Sequence, residues 1–117
     1  EIRQVISNIV GNALDAMHAH GGRLILRSRV GSDHRSGRSG LIITITDTGP
    51  GMPPTVAEQV FQPFFTTKGF IGTGLGLWIS RDIVDRHSGR IWLRTSQRNG
   101  CAGTVIAIFL PFDAVSR

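Results

Sequence analysis

Cysteine is almost absent. Cys101 is the only one in 117 residues, so no internal disulfide can form, and no His or Cys stands near it at ligand spacing. A reducing compartment is implied and no zinc is expected. Lysine is equally scarce, with Lys68 alone beside twelve arginines. The formal charge is +5, but the arginines run from Arg3 to Arg117 without any block of like charge, so nucleic acid is not the expected partner. No apolar run approaches the roughly 18 residues of a membrane span. An initiating Met and a signal-like segment are also missing. The chain opens at Glu1 inside a helical pattern, which predicts a piece of something longer.

What is present is the composition of a packed domain. Apolar residues make up 40% and charged residues 18%, and the length suits one domain over residues 1–117, without internal repeat or boundary. Glycine is in excess, 15 residues against an average of about 7%, and six of them fall between Gly49 and Gly76. Ile2, Val5, Ile6, Ile9, Ala13, Ala16 and Met17 recur at helical spacing and predict an amphipathic helix ending near Gly21-Gly22. Arg23 to Val30 and Leu41 to Asp47 read as strands, joined by the polar Gly31 to Gly40, expected to be a mobile hairpin loop. Pro53-Pro54 opens a short helix to about Val60. Leu75, Trp78, Ile79 and Ile83 mark another helix to His87, with Gly89 placed to end it. Arg90 to Thr95 and Thr104 to Leu110 form a second hairpin. The fold class is therefore α+β: a two-layer sandwich with helices on one face of a mixed, mostly antiparallel sheet.

Three segments carry chemistry. Gly72-Thr73-Gly74-Leu75-Gly76-Leu77 runs into a helix start, where unpaired N–H groups and the helix dipole favour an anion such as phosphate. It lacks the preceding strand of a dinucleotide fingerprint and the Gly-Lys-Ser/Thr of a P-loop, and a flexible, closely packed loop is the alternative. Asp47, at a strand end before Thr48-Gly49-Pro50-Gly51, is either a turn residue bonding its own backbone two residues on or an acceptor-only carboxylate for a donating edge such as the adenine amine. Asn8 and Asn12, spaced i and i+4 beside the apolar stripe, are either surface amides or oxygen ligands for a nucleotide-bound Mg²⁺.

In this order the segments resemble the catalytic, ATP-binding domain of sensor histidine kinases, in the GHKL superfamily that also holds gyrase, the heat-shock chaperone and the mismatch-repair ATPases. Asn8 to Ala13 matches the asparagine box and Asp47 to Gly51 the first glycine box. Phe61-Gln62-Pro63-Phe64-Phe65-Thr66-Thr67-Lys68 matches the phenylalanine box, and Gly72 to Leu77 the second glycine box. The Asn12-Ala13-Leu14-Asp15-Ala16 string and the four residues between Thr67 and Gly72 resemble the nitrogen-regulatory branch. Asp15 departs from many of these kinases, which carry a basic residue there.

The resemblance implies a Bergerat-type sandwich with ATP and Mg²⁺ held between the helices under a lid. Asn12 would hold the metal, with Asn8 beside it; Asp47 would read adenine, and Gly49 and Gly51 would let backbone approach the base. Gly72, Thr73, Gly74, Leu75 and Gly76 would cradle the phosphates. Lys68 would reach the β- or γ-phosphate, making Asn12 and Lys68 the catalytic pair, and Thr104 would bond the adenine edge. Phe61, Phe64 and Phe65 would plug the lid to the body. The hydrolysing relatives place a glutamate where this chain has Asn8, so little ATP hydrolysis is expected from the domain alone. The γ-phosphoryl group would instead pass to a histidine on a separate dimerisation domain upstream, and from there to a response regulator. His18, His20, His34 and His87 lack the family's acceptor context and read as surface residues. A cytoplasmic location for the domain, with membrane anchoring of the parent left open, and a parent homodimer through the missing domain follow from the same resemblance.

Overall fold

The computed structural model describes residues 1–62 and 76–115. Helix α1 spans Ile2–Ala16, and strands β1 (Leu24–Ser32) and β2 (Ser39–Asp47) follow as a hairpin. A short α2 (Pro54–Ala57) and a longer α3 (Gly76–Arg86) precede the second hairpin, β3 (Arg90–Ser96) and β4 (Gly103–Pro111), and the one-turn α4 covers Phe112–Val115. The strand order is β1-β2-β4-β3, with every pairing antiparallel. The sheet is thus purely antiparallel among the described residues, not mixed, because the two hairpins meet through β2 and β4 running in opposite directions.

Alternation sorts the strands into two faces. Ile45, Ile106, Ile108 and Leu110 point at the helices and join Val5 and Ile9 of α1 and Leu77, Ile83 and Val84 of α3 in one core. Burying each such side chain contributes about 1.5–3 kcal/mol. The stripe expected along α1 is the one that is buried, at Val5, Ile9 and Ala13. The helix layer is narrower than the sheet, however. Leu26 and Val30 share the helix side of β1 with the core residues of β2, yet stand 49% and 68% exposed.

Two local expectations are corrected. The β1–β2 loop is shorter and better tied than its composition predicts, since pairing continues to Ser32 opposite Ser39. Asp33 accepts from the Arg90 guanidinium at 3.1 Å, and Arg38 pairs with Asp113. Burial alone would raise the Asp33 carboxyl, but hydrogen bonds from Ser36, the Arg35 backbone and Arg90, with the Arg90 charge, outweigh it and hold the group below the usual aspartate range. The end of α3 is the second correction. The left-handed residue is Ser88, at φ 60°, and not Gly89. Gly89 is needed for space instead: a Cβ there would overlap the Phe109 carbonyl oxygen of β4.

That division of roles is testable by chemical denaturation. Ser88→Gly should stabilise the fold by about 1 kcal/mol by relieving the left-handed penalty of an L-residue. Gly89→Ala should cost about 1–3 kcal/mol through overpacking against β4. The reverse pattern would return the helix stop to Gly89.

Candidate functional site

The site is built at the end of the sheet where β2 and β4 pair. Asp47, the last residue of β2, lies opposite Leu24 on one side and Thr104 on the other, on the helix-facing side of the sheet. Its side chain is buried, at 7% exposure. One carboxylate oxygen, Oδ1, accepts the Gly49 N–H at 2.9 Å. The turn reading and the site reading of this residue are therefore compatible: the short bond to its own backbone fixes the carboxylate without using up its lone pairs. Burial pushes the Asp47 carboxyl above the usual aspartate value, and the backbone N–H bonds from Gly49 and Thr104 offset only part of that rise.

The glycines around Asp47 are demanded by close approach. Gly51 has φ 76°, and a Cβ on it would overlap the Ser96 carbonyl. A Cβ on Gly49 would stand 3.3 Å from the Ala16 carbonyl oxygen of α1. The loop after β2 thus presses against both the sheet edge and the end of the first helix. Gly103, not singled out in the sequence, does the same at the start of β4, where a Cβ would overlap the Asp47 carbonyl.

Thr95 is the residue that sequence reasoning missed. Its hydroxyl accepts the Met52 N–H at 2.9 Å, donates to the Gly103 carbonyl at 3.1 Å and lies 2.9 Å from the Thr104 hydroxyl. A hydroxyl has one proton to give. With that proton on Gly103, Thr104 must donate to Thr95, which leaves the lone pairs of the buried Thr104 as an acceptor beside Asp47. No motif marks Thr95; its position opposite Thr104 in the β3–β4 register was the available signal.

Asn8, Asn12 and Ala16 lie one turn apart along a single line of α1. Since Ala16 abuts Gly49, Asn12 follows about 5–6 Å along the helix and Asn8 a further turn. Both amides are half-buried, and neither has a hydrogen-bond partner among the described residues. Gly76 begins α3, which packs along α1. Lys68, Gly72, Thr73, Gly74 and Leu75, with Phe64 and Phe65, lie outside the described residues. Phe61 packs against the core.

Neighbouring features are separate from this cluster. A cavity of about 660 Å³ between α2 and the β3 edge shares Met52 and Thr95 with the site but reaches neither Asp47 nor the asparagines. His18, His20 and His34 are exposed; His87 is half-buried, with its ring Nδ1 2.8 Å from the Ile83 carbonyl. Cys101 is free and exposed.

The raised Asp47 carboxyl has a signed consequence for stability. The folded state holds this proton more tightly than the unfolded chain, whose Asp titrates near about 3.9. The group's stabilising contribution is therefore present below that value and is lost as pH rises through the raised folded value. Asp47→Asn keeps an acceptor for Gly49 without a charge to desolvate. Its stability relative to the parent should improve between acidic and neutral pH, read as thermal midpoints across the range; a pH-independent difference would show the carboxylate to be well solvated.

The family model described as "Histidine kinase-, DNA gyrase B-, and HSP90-like ATPase" matches residues 1–114. Among curated proteins, the sensory histidine kinase/phosphatase NtrB of Escherichia coli O157:H7 is 41% identical over 98 residues, 78% of this chain and 27% of that protein. The sensor histidine kinase ZraS of Salmonella typhi is 36% identical over 113 residues, 97% of this chain and 22% of that protein. The chain spans about a quarter of the length of these relatives. Among solved structures, a mycobacterial sensor histidine kinase, MprB, superposes with TM-score 0.73 at 30% identity, covering 92% of this chain and 70% of that one. The catalytic domain of histidine kinase ThkA gives TM-score 0.71 at 35% identity, covering 94% and 66%. By the match over nearly its whole length and by its likeness to these relatives and structures, the chain belongs to the histidine kinase-, DNA gyrase B- and HSP90-like ATPase family, among the catalytic domains of histidine kinases.

Proposed function

We propose that this domain binds Mg-ATP and donates its γ-phosphoryl group to a histidine on a separate dimerisation domain, in two-component signalling through a response regulator. The observation that carries the nucleotide reading is the buried Asp47 carboxylate, held by Gly49 beside the Thr104 hydroxyl. Two acceptors side by side at a sheet end select a donating edge. Adenine offers an exocyclic amine there, whereas guanine offers a carbonyl whose unpaired, repelling contact costs about 1–3 kcal/mol.

The rest of the chemistry is assigned by position. Asn12, without a hydrogen-bond partner among the described residues and one turn from the glycine loop, supplies the side-chain oxygen for Mg²⁺, which lends charge neutralisation to the phosphates. Asn8 lies one turn farther along the same line. Lys68 and the Gly72 to Gly76 run serve the phosphate tail, the lysine as a point charge and the glycines as backbone donors. In the transfer, the bond from the γ-phosphorus to its bridging oxygen breaks as a bond to the acceptor imidazole nitrogen forms, and ADP leaves. Nothing in the asparagine line can act as a general base toward water. Its absence forgoes a rate factor of about 10² to 10⁴ in hydrolysis and leaves ATP for the histidine.

Calorimetry on the wild-type chain and two variants tests the assignment. Asp47→Asn should weaken ATP binding about 10- to 100-fold and narrow the preference for ATP over GTP. Asn12→Ala should remove the Mg²⁺ dependence of binding while circular dichroism shows the fold intact. Unchanged affinity in either variant removes that residue from the site. Sustained ATP turnover by the isolated domain, surviving Asn8→Ala, would defeat the kinase reading in favour of an ATPase.

A further inference from the structure

The four strands hold four arginines, Arg27, Arg29, Arg90 and Arg94, and one acid, Asp47. The register separates them completely. Asp47 faces the helices, while all four arginines project from the opposite side of the sheet. Across that side one row reads Arg27, Thr44, Ala107, Trp92, and the next reads Ile25, Thr46, Val105, Arg94. Arg90 is already engaged, by Asp33 at 3.1 Å and by stacking 4.2 Å above the Trp92 ring. Arg27, Arg29 and Arg94 are exposed and have no acidic partner among the described residues.

The relief of this face matters as much as its charge. Strands β1 and β3 are the two edges of the sheet, three strand spacings apart, or about 14 Å. Between them Thr44, Thr46, Val105 and Ala107 carry short side chains, and the larger Ile42 and Phe109, in the row of Arg29 and Arg90, are buried. The face is a shallow trough with a basic rail on each side. An α-helix with its side chains is about 10–12 Å across, which fits between the rails.

We propose that this trough docks an acidic amphipathic helix of a partner protein. A small or apolar stripe of the helix lies on Thr44, Thr46 and Val105, the half-buried residues of the trough. Its flanking carboxylates meet Arg27 and Arg29 on one side and Arg94 on the other, where the planar guanidinium fork suits bidentate contact. The observations disfavour the other polyanions. Single-stranded nucleic acid stacks its bases on open aromatic rings, but Phe109 is buried and Trp92 is half-buried with Arg90 over its ring. An anionic membrane is gripped by apolar side chains that reach past the charges, whereas the apolar residues on this face, Ile25, Val105 and Trp92, are half-buried beside exposed arginines. The surface is distinct from the nucleotide cluster, which lies on the other side of the sheet.

The test uses the 117-residue chain and a fluorescent synthetic peptide of about 20 residues, long enough to form an isolated helix, with an alanine stripe flanked on both sides by glutamates. Binding should be measurable by anisotropy at low salt and weaken as salt screens the exposed charges. The double variant R27E/R29E should lose about tenfold or more in affinity, and R94E should lose affinity independently. If charge reversal disturbs the melting curve, R27Q/R29Q replaces the first variant. Amide shifts on titration should map to the outer face of the four strands. Equal affinity in the variants overturns the proposal. So does equal affinity for a peptide of the same composition with its glutamates spread around the helix, or tighter binding to oligothymidine or phosphatidylserine vesicles.

Discussion

A carboxylate at the end of a central strand organises this molecule. Asp47 is taken out of water where β2 and β4 meet, and that burial costs free energy unless its oxygens are paired. The Gly49 N–H meets part of the need. Holding that N–H in place demands a tight loop, and the loop in turn demands glycine where it touches α1 and where it touches β3. The backbone around the site is therefore consequent on one acidic side chain. Its proton affinity is raised because burial outweighs the backbone bonds from Gly49 and Thr104.

The same sheet performs different tasks on its two sides. Toward the helices its inner strands offer a mostly apolar surface, which ends in Asp47, Thr95 and Thr104 at the candidate site. Away from the helices it offers arginines above a strip of small residues. A period of two along each strand is sufficient to make this division, because every second residue belongs to the other side. The narrow helix layer leaves the β1 edge uncovered at Leu26 and Val30, so the apolar pattern of that strand overstates its burial.

Much of the fold and part of the candidate site were legible in the sequence. The α1 stripe, both hairpins, the free Cys101 and the pairing of Asp47 with the loop glycines follow from periodicity and turn chemistry. The asparagine spacing gave one face of a helix, and the motif order gave the family. Less legible were features that depend on a neighbour in space. Gly89 reads as a helix stop, but its reason is a carbonyl of β4 that no local pattern contains. The Gly31 to Gly40 segment reads as a free loop, but Asp33 and Arg38 find Arg90 and Asp113 far along the chain.

The amino-acid order by itself determined the elements, the apolar face of each and the kinds of side chain gathered at the candidate site, because these depend on periods of two and 3.6 residues and on local turn chemistry. Tertiary structure alone decided that Thr95 would complete the floor beneath Thr104, that β2 and β4 would be the inner strands, and that the strand arginines would share one surface opposite Asp47. Each of these is a matter of register between segments distant in the chain. Register is set by cores packing against each other, a constraint that no single segment carries.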